Sequence, residues 1–271
     1  MGVDASRESP FVKGEDCMIG RTRAFGQRFM KGTALVILLC FVCAQSGVAA
    51  DPPDSAGVTI RALMHDEAAL DGIPFAEVVK AATGKVILPF DPGSAPDREL
   101  LARIGGALDA VLSKMNAPDS PAQKEKRINE VSAHFEKAIR DELNRIAGFE
   151  CDWPKTASGK IQHSGYPDLR LVEKPSGRVI YLDPKLYERG GRESTFRTFY
   201  YEPKKETNKI LDDAHHLIIG IEHDETKAGR WKFVHWELVD LSHFRVRLKA
   251  EFQGSNRDMY QSGAIVGTSR K

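Results

Sequence analysis

Two acidic residues and a lysine flank two short apolar runs near the middle of the chain. Asp168 opens a run that ends at Glu173, and Asp183 and Lys185 close the run that begins at Val179. Residues two apart on a strand share a face, so Asp183 and Lys185 are expected to point the same way. Carboxylate oxygen is the ligand that Mg²⁺ prefers, and a metal-bound water beside an ammonium group can hydrolyse a phosphodiester. These residue types therefore indicate metal-assisted phosphodiester hydrolysis.

The residues between the two runs predict a tight turn. Positions 174–177 read Lys-Pro-Ser-Gly, with proline favoured at the second turn position and glycine at the fourth. If Pro175 and Ser176 are the central turn residues, Asp168 lies opposite Asp183 on a β-hairpin. A bulge at the turn glycine would instead shift this register by one residue.

A Pro-Asp pair followed by Asp-x-Lys resembles the motif of the PD-(D/E)xK nuclease superfamily, which has a restriction-endonuclease-like fold. The matching residues are Pro167-Asp168 and Asp183-Pro184-Lys185. The resemblance implies that the two aspartates hold Mg²⁺, or Mn²⁺ in its place, and that the lysine positions or activates water. Pro184 departs from the pattern, since the family has an apolar strand residue there. Proline donates nothing to a sheet, so either the strand stops at Asp183 or the site lies where strand pairing lapses.

A helix is predicted before the hairpin, from about residue 121 to 147, with Gly148 as its stop. The resemblance implies that an acid on this helix completes the metal shell, directly or through a bound water. In that family the acid lies about three turns before a Gly-aromatic pair such as Gly148-Phe149, and this resemblance favours Glu136, whereas position on the apolar stripe favours Glu142. Alternatively, either glutamate is solvated and paired with a neighbouring basic residue. The stripe consists of Ile128, Val131, Phe135, Ala138, Ile139, Leu143 and Ile146.

The stretch after the hairpin, residues 186–205, mixes basic and aromatic side chains. Basic residues suit contact with phosphate, and aromatic rings suit base stacking. Alternatively, this is a solvated loop whose aromatic residues fold onto the core. The candidate nucleic-acid contacts are Arg189, Arg192, Arg197, Lys204 and Lys205.

The remaining pattern predicts an α/β (α+β) protein with a mixed sheet flanked by helices. Helices are expected over 73–82, 97–115 and 206–216, and strands over 85–90, 217–222, 230–239 and 244–252. The resemblance implies a restriction-endonuclease-like core. The expected organisation is an N-terminal helical extension over 51–120, a nuclease-like core over 121–252 and a flexible tail over 253–271.

Residues 1–50 predict a signal peptide, so the protein is expected to be exported to the periplasm or secreted. Met30-Lys31 precedes the apolar run Ala34–Ala44, and small residues end the segment at Val48-Ala49-Ala50. The polar stretch before Met30 suggests that translation starts at Met30 or Met18. The run is too short to span a bilayer, and the alternative is a short N-terminal membrane anchor.

The exported protein is expected to begin at Asp51, because cleavage follows the small residues at 48–50. N-terminal sequencing of the soluble protein checks this. Recovery of soluble protein with the segment 30–50 intact would contradict it.

Net charge and cysteine content limit the possible kinds of binding site. The formal net charge of +1 shows no overall basic bias, so nucleic-acid binding requires a local patch. Once residues 1–50 are removed, Cys151 is the remaining cysteine, which excludes an internal disulfide and a cysteine-rich zinc site.

Three other functions compete with a nuclease. The histidines at 215, 216, 223 and 235 could bind a transition metal, but adjacent histidines on a helix diverge and no HExxH spacing occurs. A serine hydrolase is not supported, because there is no GxSxG. The main rival is an exported, non-catalytic α/β domain that binds nucleic acid or protein. The favoured function is Mg²⁺-dependent cleavage of nucleic acid, DNA rather than RNA, and a homodimer is compatible with it.

Overall fold

A computed structural model describes residues 55–65, 70–195, 198–225, 229–249 and 251–269. The expected signal peptide, residues 1–50, and the candidate contact Arg197 lie outside the described residues. The cleavage site therefore stays a prediction. None of the helices described is long and apolar enough to cross a membrane.

A mixed β-sheet forms the centre of the fold. In the described ranges the strands are β1 Ile73–Pro74, β2 Phe149–Asp152, β3 Leu169–Glu173, β4 Arg178–Glu188, β5 His215–Glu225, β6 Trp231–Asp240 and β7 Arg245–Val246. Strands β2 to β6 form one sheet in sequence order, and β1 pairs with β7. Only β4 and β5 pair in parallel among the pairs of the larger sheet. The predicted α/β class with a mixed sheet is confirmed.

Helices flank this sheet. These are α2 Phe75–Thr83, α3 Ala95–Asn116 and α4 Ile128–Leu143. The described residues also form helix α1 Ser55–His65, the short helix α5 Asn256–Met259, and 3₁₀ turns at Pro121–Lys124, Gly191–Glu193 and Leu241–His243. Helix α3 begins where the Ser94 hydroxyl accepts a hydrogen bond from the Asp97 amide, with proline in the first turn. Helices α2 and α3 confirm the helices predicted over 73–82 and 97–115.

The hydrophobic core lies on both faces of the sheet. On one face, α3 and α4 pack against strand residues that include Leu169, Ile180 and Leu182. On the other, Tyr181 joins a smaller cluster built around Phe75 of α2. Side chains alternate along a strand, so Asp183 and Lys185 follow Tyr181 on the second face. Asp183 and Lys185 therefore lie on the same face of β4 as Tyr181.

The helix expected over 121–147 is shorter than predicted and is replaced at its start by a 3₁₀ turn. The cause is Gln123, whose side-chain amide donates to the carbonyls of Met115 and Trp231 at 2.8 and 3.0 Å and accepts from the Trp231 amide at 3.0 Å. These bonds hold the turn against β6, and Glu125 is extended. The α-helix consequently begins only at Ile128.

The helix predicted over 206–216 is wrong. The segment 208–214 is irregular, and β5 begins at His215. The Ile210 amide donates to the Asn208 side chain at 3.0 Å, and the Leu211 amide donates to the Tyr181 hydroxyl at 2.9 Å. Since these amides bond to side chains, the backbone cannot form the helical ladder.

Two predicted strands are also wrong in extent. The stretch 85–90 makes a single parallel bridge, Ile87 to Ala214, because Pro89 cannot donate to a ladder. Of the described residues in the stretch 244–252, only Arg245 and Val246 lie in a strand, β7, which pairs with Ile73 and Pro74. The strands predicted over 217–222 and 230–239 are confirmed, and β5 occupies the interior position between β4 and β6.

Candidate active site

The β3–β4 hairpin has the register that the turn residues predict. Leu169 pairs with Leu182 and Glu173 with Arg178, so Asp168 stands opposite Asp183 one step beyond the last pair of the ladder. The turn glycine adopts a left-handed conformation, with φ 72°, and its amide donates to the Glu173 carbonyl at 2.8 Å. The turn therefore closes without shifting the register.

Strand β4 continues through Pro184 to Glu188. It pairs there in parallel with β5, Asp183 with Ile218 and Lys185 with Gly220. Its antiparallel partner β3 starts at Leu169, so beyond Asp183 the strand is paired on one side only. Proline is tolerated at such an open edge. Of the two alternatives for Pro184, the structure supports the one in which the site lies where pairing lapses.

Asp168, Asp183 and Lys185 converge at this edge. The Lys185 Nζ lies 2.5 Å from Asp183 Oδ2 and 4.0 Å from Asp168 Oδ2. The side chain of Asp183 is 2 % exposed, that of Asp168 14 % and that of Lys185 31 %, so the lysine is the member most open to solvent. Asp183 Oδ2 is buried and accepts no hydrogen bond from the described residues, although the Lys185 ammonium lies 2.5 Å away.

The two facing carboxyl groups repel each other. Burial raises the pKa of Asp168 to about 8, and the negative charge of Asp183 and a hydrogen bond with it act in the same direction. The Lys185 ammonium opposes this shift, and Glu136 adds to it. With both aspartates ionised, the site would carry more negative charge than Lys185 balances, and a bound cation would offset the excess.

Glu136, rather than Glu142, faces this cluster. Burial raises the pKa of the half-buried Glu136, followed by the charge of Asp183, while the positive charge of Lys185 lowers it. Glu142 is buried in a different contact, where Lys114 of α3 lies at 2.6 Å and Arg145 at 3.0 Å from its carboxylate. Glu142 therefore links α3 to the end of α4, and Glu136 is the helix acid that can reach the site.

Comparison with known proteins decides the family. A family model described as the type II restriction enzyme MjaV family matches residues 69–263. The chain belongs to this family. The type II restriction enzyme MjaV of Methanocaldococcus jannaschii is 32 % identical over 208 residues, which cover 73 % of this chain and 89 % of that protein. The match to the MjaV family includes the β3–β4 hairpin and helix α4 with Glu136.

Two buried residues of this MjaV family member lie beside the acids and were not predicted. Burial and then the charge of Asp183 raise the pKa of Tyr166 well above its usual value, and its hydroxyl lies 2.6 Å from His216 Nδ1. Burial lowers the pKa of Lys209, whereas the charges of Asp168 and Asp183 raise it. Lys209 lies in the stretch where the sequence predicts a helix, so no sequence pattern marks it as buried.

The basic candidates after β4 lie on the surface, mostly against acidic residues. Arg189 contacts Glu222 and Asp224 at 3.2 and 3.0 Å, Arg192 contacts Glu237 at 3.2 Å, and Lys204 contacts Glu202 at 2.7 Å. Lys205 is exposed.

The aromatic residues of this loop divide into two groups. Phe199 and Tyr201 pack on Phe75, with ring centroids 5.1 and 5.4 Å apart. Tyr200 is half exposed. The loop therefore combines an anchored aromatic base with an accessible basic and aromatic surface.

The histidines do not form a metal site in the described ranges, where no three His, Cys, Asp or Glu side chains are arranged to hold an ion by themselves. His215 Nδ1 lies 3.0 Å from the Leu88 carbonyl, and the ring of His216 is completely buried beside Tyr166. Magnesium requires fewer protein ligands, because it keeps several waters and takes others from substrate phosphate.

Proposed function

We propose that this protein is a Mg²⁺-dependent endonuclease of the PD-(D/E)xK type that hydrolyses phosphodiester bonds of DNA. The observation that carries the proposal is the facing pair Asp168 and Asp183 with the Lys185 ammonium 2.5 Å from one and 4.0 Å from the other. Membership of the type II restriction enzyme MjaV family supports DNA as the substrate. A domain that only binds DNA does not require this convergence.

The chemistry of the acids fits a divalent cation. Asp168 and Asp183 face each other in a buried setting, and Asp183 Oδ2 is a buried oxygen without a hydrogen bond in the part of the chain that the structure describes. Both carboxylates would hold Mg²⁺, with Mn²⁺ as a substitute, and Glu136 would contribute through a bound water. When bound, the metal would lower the pKa of its water and stabilise charge on the phosphate.

Lys185 and Asp183 have separate roles in the proposed reaction. Lys185 is the exposed member of the site, so its ammonium donates to the attacking water or to a phosphate oxygen and orients it. Asp183 holds that ammonium in place through their 2.5 Å contact.

A plasmid-nicking assay tests the proposal. The protein is incubated with supercoiled DNA in Mg²⁺, in Mn²⁺ and in EDTA, and nicked and linear products are separated on a gel. Cleavage that requires either metal supports the proposal. DNA binding without cleavage in all three conditions, with several plasmids of different sequence, would favour the non-catalytic binding domain.

Removing basic residues of the loop after β4 is expected to weaken DNA binding with little loss of stability. Arg192→Ala and Lys205→Ala should each reduce the slope of log K against log salt by nearly one, if each contacts one phosphate. Their thermal stability should barely change, since exposed ion pairs contribute less than ~1 kcal/mol. Fluorescence anisotropy over a range of salt concentrations measures the slope, with Lys174→Ala in the β3–β4 turn as the control. An unchanged slope with a large loss of stability would show that these residues are structural.

We also propose that the protein acts as a homodimer. One site per chain cuts one strand, and a twofold dimer would present one site to each strand of duplex DNA. Light scattering coupled to size exclusion should give twice the mass of the single chain, with or without DNA. The mass of a single chain under both conditions would contradict the dimer.

A further inference from the structure

The segment 208–212 is hydrogen-bonded to β3 and β4 close to the two acids. Asp212 accepts hydrogen bonds from Arg170 at 2.8 and 2.9 Å and from the Tyr181 hydroxyl at 2.7 Å. Arg170 lies two residues after Asp168 on β3, and Tyr181 lies two residues before Asp183 on β4, so each shares a strand face with its acid. This segment therefore fastens β3 to β4 directly beside the site.

Lys209 extends the same segment to the loop that leads into Asp168. Its side chain is buried, with 1 % of the residue exposed. The Nζ donates to the Gln162 carbonyl at 3.1 Å and to the Gly165 carbonyl at 2.5 Å. Both carbonyls belong to the loop 162–168, which ends at the first acid of the site. A single ammonium thus joins this loop to the segment that holds the strands.

The position of Lys209 is fixed on both sides. The Asn208 side chain accepts from the Ile210 amide and donates to the Ile210 carbonyl, each at 3.0 Å, and Asp212 is held by Arg170 and Tyr181. Because these hydrogen bonds hold the backbone on both sides of Lys209, its side chain has few alternative positions. Its own hydrogen bonds therefore fix the loop 162–168 relative to β3 and β4.

Lys209 is also a buried charge. Such a charge is costly unless opposite charges or hydrogen bonds compensate it. No described carboxylate lies within ion-pair distance of its Nζ, and the acids that act on it most strongly are Asp168, Asp183 and Glu136. The Lys209 ammonium is therefore stabilised by two carbonyl hydrogen bonds and by the negative charges of these three acids.

We propose that Lys209 is a positioning residue, which holds the loop 162–168 so that Asp168 stands opposite Asp183. The inference rests on the proposed function only in giving Asp168 the role of a metal ligand. It adds a residue outside the two acids and the lysine of the β3–β4 hairpin. Because the role is to hold a ligand-bearing loop, loss of the hydrogen bonds should affect metal affinity as well as geometry.

Two substitutions separate the hydrogen bonds of Lys209 from its charge. Lys209→Met keeps the length of the side chain and removes both donors and charge, whereas Lys209→Gln removes the charge and keeps an N–H donor. Lys174→Met is the control, because Lys174 is 61 % exposed in the turn at the far end of the hairpin. Crystal structures of the metal-free proteins and Mn²⁺ binding followed by electron paramagnetic resonance, both without DNA, give the readouts.

In Lys209→Met, the loop 162–168 is expected to move or lose order, so that Asp168 no longer faces Asp183, while β5 stays in place. Mn²⁺ affinity should fall by about 10- to 100-fold, and Lys209→Gln should recover most of it. An unmoved loop in Lys209→Met, or Mn²⁺ binding in both variants as tight as in the wild type, would overturn the inference. If Lys209→Met does not fold, a displaced loop with a partial loss of Mn²⁺ affinity in Lys209→Gln supports the inference, and a wild-type loop and affinity in that variant overturn it. Absence of Mn²⁺ binding in the wild type would instead refute the proposed function, and the crystallographic comparison would still decide the role of Lys209.

Discussion

Asp183→Asn is expected to reduce DNA cleavage by on the order of a thousandfold while the protein stays folded. Asparagine keeps the size of the side chain but removes a negative charge from the proposed metal site. In the metal-free protein the same change removes the repulsion between Asp183 and Asp168, so the free energy of unfolding should stay the same or rise. Nicking rates and thermal unfolding in EDTA measure the two effects. Asp152→Asn, at an exposed position on β2, is the matched control.

Lys185→Ala should abolish cleavage to a similar degree but by a different route. Its ammonium lies 2.5 Å from Asp183 Oδ2, so its removal takes a positive charge away from the proposed metal ligands. Metal affinity should therefore stay the same or increase, whereas Asp183→Asn should lose it. Mn²⁺ titration of both variants separates the roles, with Lys174→Ala as the control for an exposed lysine on the same hairpin. Cleavage by either site variant at the wild-type rate would show that the hairpin is not the active site.

The hairpin could be predicted because its determinants are local. Proline and glycine within the turn fix the register, and the register alone places Asp168 opposite Asp183. The same holds for α3, whose apolar positions recur with helical spacing and whose start is marked by Ser94. These features depend on residues close together in the sequence, so a single sequence contains the information.

The segment 208–214 could not be predicted, because its structure depends on distant partners. Its polar side chains bond to Arg170 and Tyr181, which lie 42 and 31 residues away from Asp212. Taken alone, the sequence from Glu206 has residues that a helix accepts. The burial of Lys209 follows from the same long-range contacts, so both the wrong helix and the missed lysine have one cause: tertiary contacts override local preference.

The choice between Glu136 and Glu142 shows a similar limit. Both acids lie on one helix, and periodicity places Glu142 nearer the centre of the apolar stripe. Periodicity reports burial, however, and Glu142 is buried because Lys114 and Arg145 neutralise it. Which of the two acids faces the site depends on the packing of α4 against β4, which a single sequence does not specify.

Asp168 is expected to contribute less to the stability of the metal-free protein as the pH rises from about 4 to about 8. Burial and the charge of Asp183 raise the pKa of Asp168 from its ordinary 3.8 to about 8 in the folded protein. Between these values the folded state holds a proton that the unfolded state has released, so the unfolded state binds fewer protons and the free energy of unfolding falls with pH. The contribution of Asp168 is complete below its unfolded pKa and is lost as the pH passes through about 8.

His216 acts in the opposite direction over part of this range. Burial lowers its pKa from 6.5 to about 3, so its contribution is present above pH 6.5 and is lost as the pH falls toward 3. The effect of Asp168 is therefore clearest between about pH 6.5 and 8, and the difference between the wild type and Asp168→Asn removes the contribution of His216. Urea unfolding in EDTA at several pH values should show a falling curve for the wild type and a flatter one for Asp168→Asn.

Divalent metal should reverse this dependence. The metal requires both carboxylates ionised, so near pH 7 its binding must displace the proton that Asp168 holds. Metal affinity should then rise with pH up to about 8, and stability in excess Mg²⁺ should no longer fall over that range. Calorimetric titration in buffers of different ionisation enthalpy counts the released proton. Two results would contradict this: metal binding that releases no proton near pH 7, and parallel stability curves for the wild type and Asp168→Asn in EDTA. Together they would show that Asp168 does not hold a proton near pH 7, and the proposed cation site would have to be rejected.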